Sequence, residues 1–325
     1  MTKTTKNNIN EFKPAWWLRN KHLQTMWPRL SRRKIKSPLV KERFELPDGD
    51  FIDIAWAGDN AYSPIVVILH GLGGSLASPY AAGLINAITA KGWRAAFMYF
   101  RGASDEPNRL HRSYHSGETQ DFNFVINEIK KRELGTPLFA VGFSLGGNVL
   151  LKWLGELKEK AIVKAAVAIS VPFDLTSAAN QLQTGFSKFY QWYLLARLKR
   201  KYFEKFKPDR APVDHRLIKK CRNFWEFDDT LTAPLHGFYS VDDYYQRCSS
   251  KHYLQDIKVP TLIIHAQDDP FMTSTVIPQK HQVSSCVDLA ITAKGGHVGF
   301  VSGRIPGKAE YWLDQRILAF LKEKL

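Results

Sequence analysis

Short runs of apolar, mostly β-branched residues recur along the chain, at Ile65 to Leu69, Ala95 to Phe100, Leu138 to Val141, Ala165 to Val171, Thr261 to His265 and Val287 to Thr292. A strand covered on both faces reads as a continuous apolar run, whereas a half-exposed strand alternates. Between the runs lie stretches with helical periodicity, at Pro79 to Lys91, Asp121 to Lys131 and Leu145 to Leu157, and a last amphipathic one spans Ala309 to Lys322. Strand and helix in alternation predict an α/β fold, a mostly parallel doubly wound sheet.

The pattern differs at four places. Arg43-Phe44-Glu45-Leu46, the turn Pro47-Asp48-Gly49-Asp50 and Phe51-Ile52-Asp53-Ile54 give alternation, turn and alternation, which predicts an antiparallel hairpin before the parallel part. Residues 1 to about 12 are Lys/Asn/Thr-rich and read as a frayed terminus. The mixture of aromatic and basic residues from Trp16 to Leu30, followed by Ser31-Arg32-Arg33-Lys34, suggests a surface arm. Between about Pro172 and Val259 nearly ninety residues separate two strands that one crossover helix would join, so an insertion is expected there. The expected organisation is an N-terminal arm over 1–38, a catalytic domain over 39–171 and 259–325, and a helical cap over 172–258.

With 325 residues, 44% of them hydrophobic, the chain is long enough for one large domain with an insertion. Three cysteines, Cys221, Cys248 and Cys286, match neither a disulfide framework nor a zinc site. The polar N-terminus lacks the apolar core of an export signal, and no stretch reaches eighteen consecutive apolar residues, so a cytoplasmic location is expected. The net charge of +15 suits nucleic acid, anionic lipid or acidic ligands alike. No zinc-finger, RNA-recognition or basic-zipper pattern accompanies it, so no nucleic-acid partner is expected, and peripheral contact with an anionic membrane stays open.

Gly142-Phe143-Ser144-Leu145-Gly146 follows a predicted strand and precedes a predicted helix. In that context G-x-S-x-G is a nucleophile elbow, whose glycines let a strained turn lift the serine oxygen clear of the sheet. His70-Gly71-Leu72-Gly73-Gly74 ends the first parallel strand and lacks both the Walker lysine and the G-x-G-x-x-G spacing of nucleotide loops. It therefore reads as an oxyanion loop, with the amides of Leu72 and Leu145 as donors. A serine nucleophile needs a base, and the base an orienting acid. Gly295-Gly296-His297-Val298-Gly299 places one histidine after the last strand, and Ala266-Gln267-Asp268-Asp269-Pro270 places two carboxylates after the strand before it. His297 is the base, and Asp269 the acid on the Ala-x-x-Asp-Pro spacing, with Asp268 as the alternative. His70 reads as a support of its loop.

Longer motifs extend over nearly the whole chain: His22-Leu23-Gln24-Thr25-Met26, Glu45-Leu46-Pro47-Asp48-Gly49-Asp50, Phe100-Arg101-Gly102, His115-Ser116-Gly117-Glu118-Thr119, Phe227-Asp228-Asp229 and Gly296-His297-Val298-Gly299-Phe300. In these the chain resembles the bacterial YheT-type esterases, a branch of the α/β-hydrolase superfamily with eukaryotic relatives acting on lipid esters. The resemblance implies the α/β-hydrolase fold, a charge relay at Ser144, Asp269 and His297, no cofactor, and a small-molecule or lipid ester as substrate. It leaves hydrolysis, acyl transfer to an alcohol and lipase action at a membrane surface as alternatives. The basic, aromatic cap around Lys188 to Lys207 departs from the family pattern. Its run Arg197-Leu198-Lys199-Arg200-Lys201 reads either as a solvated face over a cap core or as a basic face toward anionic lipid.

Overall fold

A computed structural model describes residues 9–31 and 34–325. Of the frayed terminus expected over residues 1 to about 12, residues 1–8 lie outside the described residues, as do Arg32 and Arg33 of the basic run, while Phe12 at its end is buried.

The chain opens with helix α1 (Lys21–Leu30) and the hairpin β1 (Leu39–Glu45) and β2 (Phe51–Ala57), then passes through β3 (Ile65–Leu69), α2 (Pro79–Thr89), β4 (Arg94–Met98), α3 (Thr119–Arg132), β5 (Leu138–Phe143), α4 (Leu145–Leu157) and β6 (Ala165–Ile169). Residues 172–258 contribute no strand and carry α5 (Leu175–Gln181), α6 (Ser187–Lys205), α7 (His215–Lys220), α8 (Phe224–Phe227), a π-turn at Asp228–Thr232, α9 (Ala233–Leu235) and α10 (Val241–Cys248). The chain then closes with β7 (Thr261–Ala266), β8 (Val287–Thr292), a short ribbon of β9 (Val301–Ser302) and β10 (Glu310–Tyr311), and α11 (Trp312–Glu323).

The eight-stranded sheet has the order β1-β2-β4-β3-β5-β6-β7-β8, with β2 antiparallel to both its neighbours and every other pair parallel. Successive residues of each strand feed opposite cores. Val67 and Leu69 pack with α3 and α4 residues such as Phe122, Val149 and Trp153. Val66 and Ile68 pack with Leu84 and Ile88 of α2 and Ile317 and Leu321 of α11. Burial on both faces is why these strands read as unbroken apolar runs. From β3 the chain crosses to β4 on one side, and from β5 to β6 on the other, so a crevice opens between the carboxyl ends of β3 and β5, where Leu69 and Gly142 are partners. This is the switch point at which open α/β sheets hold ligands.

Several expected boundaries move, three of them for a visible reason. The expected strand to Phe100 ends at Met98, because the Phe100 N–H turns to His70 Nε2 at 3.1 Å. The expected strand to Val171 ends at Ile169, because Ser170 takes a left-handed φ of 50°. The last helix starts at Trp312 and not Ala309, because Glu310 and Tyr311 pair with Ser302 and Val301. The aromatic-basic N-terminal segment is no loose surface arm. Ala15 and Leu18 are buried against Val301, and Phe12 against Phe300 and Trp312. Phe12 is buried, and Trp17 and Trp27 are half-buried against each other, while Trp16 stays exposed, a partial cover that the sequence pattern did not reveal.

Candidate active site

β5 delivers Ser144 directly into α4 with φ 52° and ψ −118°, a conformation that costs a non-glycine residue of order 1–3 kcal/mol and persists only where the surroundings enforce it. The enforcement is visible in the flanking glycines. A Cβ on Gly142 would lie 2.4 Å from the Gly146 carbonyl oxygen, and one on Gly146 2.5 Å from that of Leu69. The Ser144 N–H donates to the Ile169 carbonyl at 2.8 Å, and Asn148, one turn later, ties α4 to Ser116, Cys248 and Ser250.

The loop after β3 is braced by two tyrosines. Gly71 N–H donates to Tyr80 Oη and Gly73 N–H to Tyr114 Oη, both at 2.8 Å, and Gly74 N–H to the Gly71 carbonyl at 2.9 Å. Among the described residues this leaves the Leu72 amide without a partner. Leu145 opens α4, where helix geometry supplies no acceptor for its N–H. Burial pushes the Tyr114 phenol up to about 12, so it keeps its proton. His70 is fully buried, and burial drives it down to about 4, so it is neutral. It donates from Nδ1 to the Gly71 carbonyl at 2.7 Å and accepts from Phe100 N–H at Nε2. It thus supports its loop, as its position suggests.

His297 faces both partners proposed for it from the sequence. Its Nδ1 lies 2.8 Å from Asp269 Oδ2 and its Nε2 3.0 Å from Ser144 Oγ. With a carboxylate at Nδ1 the proton belongs there, leaving Nε2 to accept from the serine hydroxyl. The ring stacks on Phe271 with centroids 3.9 Å apart. Asp269 Oδ1 accepts from Phe271 N–H at 2.8 Å, fixing the carboxylate. Asp268 turns to the loop backbone instead, accepting from Gly296 N–H at 3.0 Å. Further supports come from residues that the sequence reading left without a role: Thr25 Oγ1 accepts the His297 N–H at 2.9 Å, Ser170 Oγ that of Val298 at 3.0 Å, and buried Gln24 exchanges two hydrogen bonds with Val301. Gly296 and Gly299 allow α1 to lie against this loop, since a Cβ on either would fall 2.4 to 2.5 Å from a carbonyl of Lys21 or Gln24. The motif around His22 could have signalled this contact only by its length.

Ser144, His297, Leu72 and Leu145 line one cavity of about 620 Å³, walled by apolar side chains of residues 172–258 such as Leu175, Leu182, Leu194 and Leu198. Further motifs become intelligible nearby. Arg101, 2% exposed, binds Asp121 of α3 through two hydrogen bonds and reaches Asp48 and Asp50 of the hairpin turn at 2.8 and 3.0 Å, joining the hairpin to the sheet beneath the cavity. Gly117 lies against Cys248, where a Cβ would be 2.3 Å from Sγ. Asp228 lines the cavity and accepts from Thr232 Oγ1 at 2.6 Å and Tyr245 Oη at 2.8 Å; burial pushes its carboxyl up to about 6. Among the described residues no three His, Cys, Asp or Glu side chains converge as metal ligands would, and no helix is long and apolar enough to cross a membrane.

The basic run of α6 does not form one face. Lys199 donates to the carbonyls of Lys219 and Cys221, while Arg197, Arg200 and Lys201 line the cavity, Arg200 3.4 Å from Glu204. Helical periodicity distributes consecutive residues around the axis, so a run of charges in sequence is not a patch in space.

The alpha/beta hydrolase fold family matches residues 64–303. The Escherichia coli (strain K12) protein named "Putative esterase YheT" is 43% identical over 98% of this chain and 96% of its own. The "Monoacylglycerol lipase" of Saccharomyces cerevisiae is 30% identical over 80% of this chain and 59% of its own length. The Pyrococcus furiosus esterase Pf2001 superposes with a TM-score of 0.58 over 89% of this chain and 92% of that one at 19% identity, a likeness of fold alone. With the site geometry, these findings place the chain in the α/β-hydrolase family, among its esterase- and lipase-type hydrolases.

Proposed function

We propose that this protein hydrolyses carboxylic esters through an acyl-enzyme on Ser144, with His297 as base and Asp269 as its orienting acid. The observation that carries the reading is the unbroken relay from Asp269 Oδ2 through the His297 ring to Ser144 Oγ, at 2.8 and 3.0 Å, on the floor of a largely apolar cavity. His297 Nε2 takes the hydroxyl proton as Oγ attacks the ester carbonyl, and Asp269 stabilises the imidazolium that forms. The free amides of Leu72 and Leu145 receive the negative charge on the carbonyl oxygen, where a fixed donor contributes roughly 3–4 kcal/mol to the transition state. The imidazolium then protonates the leaving alcohol, and the freed base activates water to release the acid. The relatives' names support ester substrates, and the leucine-lined wall of the cavity suits an acyl chain.

Ser144→Ala is expected to remove both turnover of short-chain p-nitrophenyl esters and labelling by a fluorophosphonate, a loss of roughly three or more orders of magnitude without loss of fold. A folded alanine variant with wild-type turnover would refute the reading.

A further inference from the structure

Among the cations that line the cavity next to the oxyanion loop, Arg200 pairs with Glu204 and Lys205 spends its ammonium on Asn108 Oδ1 and the carbonyls of His111 and Arg112, which leaves Arg197 and Lys201. Arg197 and Lys201 stand one turn apart on α6, and both line the cavity. Arg197 uses one guanidinium N–H, from Nη1 to Tyr193 Oη at 2.8 Å, and Lys201 one ammonium donor, to the Ser104 carbonyl at 3.2 Å. A guanidinium has five N–H donors and an ammonium three, so most of this capacity is unspent. The cavity's carboxylates are already engaged: Asp105 with Lys41 at 3.5 Å, Glu204 with Arg200, and Asp228 with Thr232 and Tyr245. Among the described residues neither Arg197 nor Lys201 forms an ion pair.

The position of Arg197 is specific. Its guanidinium lies against Gly73, the residue after Leu72: a Cβ there would be in van der Waals contact with Arg197 Nε at 3.5 Å. The cation is thus one residue from the amide proposed to hold the reacting oxygen. A planar guanidinium beside an ammonium is the donor set that phosphate and carboxylate groups select, the former through paired N–H···O bonds.

We propose that Arg197 and Lys201 form an anion subsite, so that the preferred substrate is an ester carrying a phosphate or carboxylate a few bonds from the scissile carbonyl. This rests on the esterase reading and narrows its substrate class. The anion sits beside the oxyanion loop, and the apolar wall of the cavity takes the hydrocarbon part.

Two matched pairs of esters test it. Glycerol monobutyrate and its phosphate monoester differ by an anion on the alcohol side; p-nitrophenyl hexanoate and the mono-p-nitrophenyl ester of adipic acid differ by one on the acyl side. The wild-type protein is expected to favour the charged member of one pair by about tenfold in kcat/KM, the discrimination that a hydrogen-bonded charge supplies, and the pair that shows it identifies the side. Arg197→Gln and Lys201→Gln should each collapse that ratio, mainly through KM. Lys188→Gln, which removes an equal charge from the exposed first turn of the same helix, should leave it intact. A wild-type protein indifferent to the charge in both pairs overturns the subsite while leaving the esterase reading in place, and it needs no variant to be read. Glutamine variants that keep the preference also overturn it. No turnover of any of the four esters overturns the esterase reading together with the subsite.

Discussion

The floor and the wall of the cavity are built differently. On the floor, every reacting group is held by backbone: Ser144 between a strand and a helix, Asp269 by the Phe271 amide, the His297 loop by Thr25, Ser170 and Asp268 acting on consecutive backbone amides. On the wall, residues 172–258 form two separate aromatic clusters, one around Tyr190, Phe224 and Tyr245 and one around Tyr202, Phe206 and Phe227. There the cavity-lining cations of α6 are half-buried, as Arg197, or exposed, as Lys201, and each is bonded through its tip. The floor specifies one geometry, and changes to it act on the rate of reaction. The wall offers adjustable shape and charge, so changes there act on which ester enters.

The largest effect should come from the floor. Asp269→Asn leaves the shape but no longer fixes the His297 tautomer, and a loss of about ten-thousand-fold in kcat is expected. Asp268→Asn, which weakens the bond to Gly296 and removes the ion pair with Lys294, should cost much less. Esterase assays on both variants at matched thermal stability decide the order, and the reverse order would move the acid's role to Asp268.

A smaller loss is expected where the floor is supported from outside. Thr25→Val strands the His297 amide and lets the ring shift, and displacements near 1 Å cost up to about a hundredfold. The fall should lie in kcat with KM little changed, and Thr25→Ser should restore it. Equal defects in valine and serine variants would reduce Thr25 to packing.

The smallest effect belongs to the wall and concerns stability alone. Asp228, buried and pushed up to about 6 from 3.8, holds its proton longer in the folded chain than in the unfolded one. Between those two values the folded state binds more protons, so stability declines as pH rises through this window. Asp228→Asn should flatten that decline, and denaturant titrations at pH 4 and at pH 6.5 would reveal it. An unchanged slope would mean that another group carries it.

Much of the floor was legible because its chemistry is written in short local patterns. Gly142 to Gly146 and Gly295 to Gly299 are dictated by close backbone approaches that no other residue tolerates, so glycine marks them in the sequence. The β-branched runs were legible because burial on both faces leaves no alternation. What escaped notice depends on contacts distant in sequence. The Tyr80 and Tyr114 hydroxyls that engage the oxyanion loop sit in segments with no local signal, as does Gln24 beneath the His297 loop. The charges of α6 left two readings open for the opposite reason: proximity in sequence resembled proximity in space, whereas Lys199 and Lys201 turn to different acceptors.

The bond from His297 to Thr25 spans 272 residues. During synthesis the helix that supports the relay emerges near the start, and the loop it supports near the end, tens of seconds later at roughly 5–20 residues per second. The elbow can fold meanwhile around its own sheet, but the base cannot be seated until both chain ends have met. A nascent chain is therefore catalytically silent, and competence arrives in one late docking event. The contact that seats the base is thus one of the group that ties the two ends of the described chain together, with Trp312 to Ile9 and Gln24 to Val301.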